Sequence, residues 1–303
     1  MPYETMNWDC DGRACTIGLD RAGSGRMVVL LPALSSISTR REMAPLQAQL
    51  ASSFATVAVD WPGFGDLPKQ FVDWRPELYE AYLGFLFSEI VPNPFAIVAA
   101  GHAAGYVLKY LARHDCSVAK LVLLSPTWRG PLPTMAGGNR PVFAKIARAF
   151  DPPISGPLLY ALNVNRFMVG MMARGHVYTD PRWLDDRRMA AKLAVTRTPG
   201  ARHGSARFVT GYLDPFASRE ELMQAAQRVV APMLVMFAET CPPKSRLEME
   251  ALAALPNART IRLKRGKLSF YEEFPDETAA AIQAFLADNG QSVRTADAIM
   301  GRS

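Results

Sequence analysis

Six short runs rich in Val, Ile, Leu and Ala, at about 27–34, 56–61, 95–100, 119–125, 232–238 and 260–263, dictate the kind of fold open to this chain. Continuous apolar runs of this length suit strands buried on both faces, as in a parallel sheet covered by helices. Helical patterns sit between or after them, at about 41–51, 77–90, 105–113, 245–255 and 276–288. The last follows Pro275 and opens with Asp276 and Glu277, whose charges suit a helix N-terminus. Right-handed crossovers between such units predict an α/β, doubly wound, mostly parallel sheet. Residues 8–20, with Asp11-Gly12 at their centre, predict an antiparallel hairpin ahead of it.

The stretch 130–215 differs in character. It has Pro and Gly at both ends, no strand-like run, and helical patterns at 141–150, 156–175 and 183–195. We expect a helical cap there, inserted into a core made of 1–129 and 216–290, with a polar, frayed tail at 291–303. With 303 residues the chain suits one large domain carrying such an insertion. Its apolar runs fall far short of the roughly 20 residues of a bilayer span. Its start lacks the basic and apolar regions of a secretory signal, so the expected location is cytoplasmic.

Several function classes drop out on composition and pattern. Net charge is +6, but Arg and Lys are scattered rather than gathered into the stripe that nucleic-acid binding requires. Four cysteines (Cys10, Cys15, Cys116, Cys241) show no CxxC pair and no metal-ligand spacing, and read as reduced thiols. Neither a phosphate-binding loop nor a dinucleotide fingerprint is present, so no cofactor and no metal are expected.

The run ending at Ala100 leads into Gly101-His102-Ala103-Ala104-Gly105 and then an apolar helix. Strand, sharp turn and helix with flanking glycines resemble the G-x-S-x-G nucleophile elbow of the α/β-hydrolase fold. Asp60-Trp61-Pro62-Gly63-Phe64-Gly65 resembles that family's D-x-P-G-x-G turn, and Pro32-Ala33-Leu34 stands where its oxyanion loop belongs. The stretch 229–243 resembles the strand and loop that carry the acid, and Phe274-Pro275 the approach to the last helix, so the resemblance spans about 25–290.

On that resemblance the catalytic triad is degenerate. Ala103 stands at the expected nucleophile position, Cys241 near that of the acid, with Glu239 the nearby carboxylate, and Leu268 in the loop that should carry histidine. No histidine occurs after His203. A serine nucleophile requires a neighbouring base to take its proton, so the resemblance implies a fold without the acyl-enzyme route.

Other chemistry has a short list of candidates. His176 and Tyr178, in the cap, could reach into a pocket as an acid–base pair. Cys241 could react if Lys244 or Arg246 lowered its pKa. His102 is expected to pack below the turn, and His114 and His203 to lie on the surface. Ser35 and Ser36 could hold a ligand oxygen, and Lys264, Arg265 and Lys267 could form a positive rim. The expected pocket is lined by Leu34, Ser35, Ser36, His102, Ala103 and Ala104 from the core, and by Met168, Met172, His176 and Tyr178 from the cap. The leading expectation is a pseudoenzyme or accessory protein that binds a small apolar molecule under the cap. The alternative is an enzyme of another reaction type, such as a lyase, isomerase, cyclase or atypical hydrolase. A third, a partner-binding protein, would show a filled pocket and an exposed apolar patch.

Overall fold

The computed structural model describes residues 3–288; the tail expected at 291–303 lies outside them. One 8-stranded sheet contains β1 (Tyr3–Cys10), β2 (Arg13–Ala22), β3 (Met27–Leu31), β4 (Ala55–Val59), β5 (Ala96–Ala100), β6 (Lys120–Leu124), β7 (Met233–Ala238) and β8 (Ala258–Leu263). Their spatial order is β1-β2-β4-β3-β5-β6-β7-β8, with β2 antiparallel to both neighbours and every later pairing parallel. At the first turn Asp11 (φ 53°) and Gly12 (φ 75°) are both left-handed, the pair that matches the twist of a two-residue hairpin. β3 stops at Leu31, earlier than its apolar run suggests, because Pro32 has no N–H to extend the ladder.

The centre of the sheet is the driest part. All residues of β5 are buried, and Val98 pairs with Leu30 on one side and Val122 on the other. Burying each such side chain contributes roughly 1.5–3 kcal/mol, which fixes these strands ahead of the edges. Before the insertion come α1 (Ala44–Leu50), α2 (Pro76–Phe85) and α3 (Ala103–Leu111). The insertion holds α4 (Pro131–Ala136), α5 (Pro141–Ala149), α6 (Ser155–Asn163), α7 (Arg166–Met172), α8 (Asp186–Arg197) and α9 (Ala201–Val209). After it come α10 (Arg219–Arg228), α11 (Pro243–Ala253), α12 (Phe270–Glu273) and α13 (Pro275–Ala287). α1 packs with α13, while α3 is flanked by α2 and α10.

Two features of the insertion differ from the sequence reading. The helix expected over 156–175 is broken at Val164-Asn165, where the Asn165 side chain caps α7 by accepting from the Phe167 and Met168 N–H groups. The segment around His203, expected on the surface, forms the helix α9. Among the described residues no helix is long and apolar enough to cross a membrane.

Candidate functional site

The turn after β5 is built around Gly101, the residue there with a left-handed backbone (φ 53°). Its N–H donates to the Leu124 carbonyl at 2.8 Å and its carbonyl accepts from Ala104 N–H at 3.2 Å. This corrects the expected apex. Ala103 is the first residue of α3 and is fully buried, and the reversal happens two residues earlier. Glycine bears that conformation without the clash a Cβ would bring. A Cβ on Gly101 would lie 3.2 Å from the Ala33 Cβ and 3.9 Å from Thr127 Oγ1, so this position faces the loop after β3. Gly105 has a packing role instead: a Cβ there would meet Pro215 Cγ at 2.9 Å and Trp128 Cβ at 3.2 Å.

In either register the turn holds no Ser, Cys, Thr or Asp: residues 99–105 are Ala, Gly and His only. His102 is buried with its ring against Tyr106 and Phe208, and its Nε2 lies 3.0 Å from the Leu213 carbonyl. That contact requires the proton on Nε2, and Nδ1 has no partner. Burial pushes the imidazole down to about 4, so it is neutral at pH 7.

The oxyanion-loop serines are engaged within the protein. Ser35 and Ser38 share a hydrogen bond of 2.7 Å, and Ser205 of α9 donates to Ser36 at 2.6 Å. On the same helix, a Cβ at Gly204 would lie 2.8 Å from the Gly63 carbonyl. α9 therefore sits directly on the loops that flank the elbow. The D-x-P-G-x-G turn is itself held by buried Arg40, whose Nη1 reaches Asp60 and Asp66 at 2.6 Å each, with Asp20 3.2 Å from its Nε.

The segments expected to carry the acid and the base make internal contacts as well. Cys241 is buried 3.8 Å from Ser125 Oγ, and burial pushes its thiol above the ordinary value, the opposite of activation. Iodoacetamide should therefore modify Cys241 much more slowly in the native protein than in urea, read by peptide mass spectrometry. Equal rates would show an exposed or activated thiol. In the loop expected to carry histidine, Leu268 and Ser269 donate their N–H groups to the carbonyls of His176 and Val177, at 3.4 and 3.1 Å. Lys267 Nζ reaches the Arg174 carbonyl at 2.6 Å, while Lys264 and Arg265 are exposed.

His176 and Tyr178 do not form the expected pair. The His176 side chain is exposed on the π-helical turn Ala173–Val177, while Tyr178 is buried and donates to Glu272 at 2.8 Å. The ten expected lining residues differ in exposure. Leu34, His102, Ala103, Ala104 and Tyr178 are buried among protein atoms, and Ser35, Ser36, Met168 and Met172 are half-buried. His203 is also not a surface group: α9 buries it with Nδ1 2.7 Å from Asp151, which Arg207 grips as well. His114 is exposed and paired with Glu80 at 3.0 Å. One cleft of about 270 Å³ opens beside Thr127, Trp128, Arg129, Thr134, Lys244 and Glu248, next to the elbow at the carboxyl edge of the sheet.

Sequence reasoning missed the most unusual cluster. Lys192 of α8 is buried with its Nζ 2.5 Å from Glu42 and 3.0 Å from Glu272, and Tyr271 donates to Glu42 at 3.4 Å. Burial pushes the Glu42 carboxyl up to about 8, and the nearby Glu272 charge adds to this, together outweighing the pull of Lys192. Burial opposes the charge on Lys192, but Glu272 and Glu42 hold its pKa above the ordinary value. One ammonium serves two buried carboxyl groups, so the cluster titrates as a coupled unit that favours keeping one proton. The available signal was a lysine inside the apolar run Met189-Ala190-Ala191-Lys192-Leu193-Ala194-Val195. Among the described residues no group of His, Cys, Asp and Glu could hold a metal ion.

Comparison with known proteins gives a consistent picture. The alpha/beta hydrolase family matches the sequence over residues 28–281. A thermophilic esterase from Thermogutta terrifontis is similar in structure at 16% identity and a TM-score of 0.68, covering 94% of this chain and 98% of that one. A bromoperoxidase from Bacillus anthracis gives 15% and 0.71, covering 94% and 100%. The haloalkane dehalogenase DatA from Agrobacterium tumefaciens gives 16% and 0.68, covering 94% and 96%. At such identities the likeness establishes the fold alone. No curated protein matches the sequence.

Proposed function

The chain belongs to the alpha/beta hydrolase family, and we propose that it uses this scaffold for binding, as a pseudoenzyme or accessory protein without serine hydrolysis. The observation that carries the reading is Gly101. The residue that faces the oxyanion loop has no side chain, and Ala33 lies 3.2 Å from where a Cβ would start. Around it, the segment that should supply a base is bonded to the backbone of the inserted helices, and the oxyanion-loop hydroxyls bond one another and α9. An oxyanion hole and binding alone leave only about 10³–10⁴ over water. A small molecule would bind in the cleft beside Thr127 and Trp128, next to the elbow. The location that suits this reading is cytoplasmic.

Fluorophosphonate labelling read by intact mass tests the proposal. We expect no adduct on the parent protein and no burst with p-nitrophenyl acetate. Gly101→Ser should cost about 1–2 kcal/mol, because a side chain is placed in a left-handed backbone. It should remain unlabelled, since no imidazole stands ready to take the proton. Pairing it with Leu268→His is the minimum that could restore turnover. A stoichiometric serine adduct on the parent, or rapid turnover by Gly101→Ser alone, would overturn the reading.

A further inference from the structure

α6 is an apolar helix that the protein does not bury. Residues 152–165 contain no charged side chain over fourteen positions, and within α6 only Gly156 is buried. An uncharged apolar segment of this length is usually a core helix or an interfacial one. Burial excludes the first. Ile154, Leu158 and Leu162, at helical spacing, are 89%, 65% and 66% exposed. Beyond the Val164-Asn165 junction the pattern continues on α7, where Phe167 is 72% exposed and Met171 45%. A stripe of large apolar groups this exposed is the mark of an interaction face.

Charge identifies the occupant. Residues 130–215 hold twelve Lys and Arg against five Asp and Glu, an excess larger than the whole chain's net charge of +6. Each of the five carboxylates is already engaged. Asp151 binds His203 and Arg207, Asp180 binds Arg182, Asp185 binds Arg188, Asp186 binds Arg166, and Asp214 accepts from Gly130 N–H. Arg140, Lys145, Arg148 and Arg174 are exposed and form no ion pair among the described residues. Two of these cations precede α6 in sequence and sit on α5, and Arg174 follows α7 by two residues.

We infer that the α6–α7 face docks on an anionic lipid surface, inserting Ile154, Leu158, Leu162 and Phe167 among the acyl chains while the unpaired cations meet the headgroups. Apolar anchors within a basic surround give this mode of binding, and neither part suffices alone. An acidic protein would satisfy the cations but would need a matching apolar groove. A second copy of this chain would set like charges against each other. The inference does not depend on whether the elbow reacts.

Flotation with lipid vesicles tests it on the full chain. The protein should bind vesicles containing about one third phosphatidylglycerol more than about tenfold better than pure phosphatidylcholine, and lose that preference in high salt. Leu158→Glu with Leu162→Glu should abolish binding while leaving the thermal midpoint unchanged, because both side chains are exposed. Arg148→Glu should weaken binding to the anionic vesicles alone. Absence of vesicle binding by the parent overturns the proposal, as does binding that survives the double substitution. A concentration-dependent dimer that the double substitution dissolves would assign the face to a second copy, and would overturn it equally.

Discussion

Lys192→Met is expected to destabilise the protein by about 3–5 kcal/mol, the usual consequence of removing one partner from a buried ion pair. Methionine fills the volume of the lysine stem, so packing is preserved and the loss isolates the charge. What remains is a pair of carboxyl groups, Glu42 and Glu272, left with hydroxyl donors from Ser38, Tyr271 and Tyr178 and no cation. The cost should fall on the seam between the inserted helices and the core, because Lys192 belongs to α8 while Glu42 and Glu272 belong to the core. Hydrogen exchange should therefore rise first in α8 and in the segment that covers Leu268. Adding Glu42→Gln and Glu272→Gln should recover much of the loss, since no buried charge is then left unpaired. Urea unfolding of the three proteins measures this. A Lys192→Met protein within about 1 kcal/mol of the parent would show that the cluster is solvated and carries little.

The sheet was legible because its information is local. The runs that became β3, β4, β5, β6 and β7 are mainly apolar without alternation, and Asp11-Gly12 marks a hairpin by its own backbone preference. Where partners lie far apart in sequence, the reading failed. α9 looks like a loop because Arg202, His203, Gly204 and Arg207 interrupt its pattern, yet Asp151 satisfies both His203 and Arg207 from across the insertion. Lys192 meets Glu42 over a separation of 150 residues, which no window can register. The elbow was found but misplaced by two residues. Its flanking glycines match the motif from Gly101 to Gly105, and the sign of one backbone angle decides which residue turns the chain. His176 and Tyr178 are two residues apart, but the π-helical turn at Ala173–Val177 ends between them and sends one outward and the other inward.

Between pH 6.5 and 8 the protein should become less stable as pH rises, by about 2 kcal/mol or more. Burial pushes Glu42 and Asp214 each up to about 8, from ordinary values of 4.5 and 3.8. A carboxyl whose folded pKa is raised holds a proton that the unfolded chain has already released. Its contribution is complete below the unfolded pKa and is lost as pH climbs through the folded one. Asp60, pushed up to about 6 by burial, adds the same sign at lower pH. His102 has the opposite sign: its folded pKa is lowered to about 4, so its contribution is present above 6.5 and lost as pH falls toward 4. The carboxyl and imidazole effects oppose each other below 6.5, whereas above it the two buried carboxyls dominate, and Lys69, lowered to about 8 by burial, opposes them as pH nears 8. Glu42→Gln fixes a neutral, hydrogen-bonding group at the position, and should remove roughly half of the decline, with Asp214 supplying the rest. The urea midpoint of both proteins across this window is the measurement. A parent midpoint that stays flat or rises would mean that neither Glu42 nor Asp214 holds its proton in this window, leaving the cluster around Lys192 with a buried net negative charge.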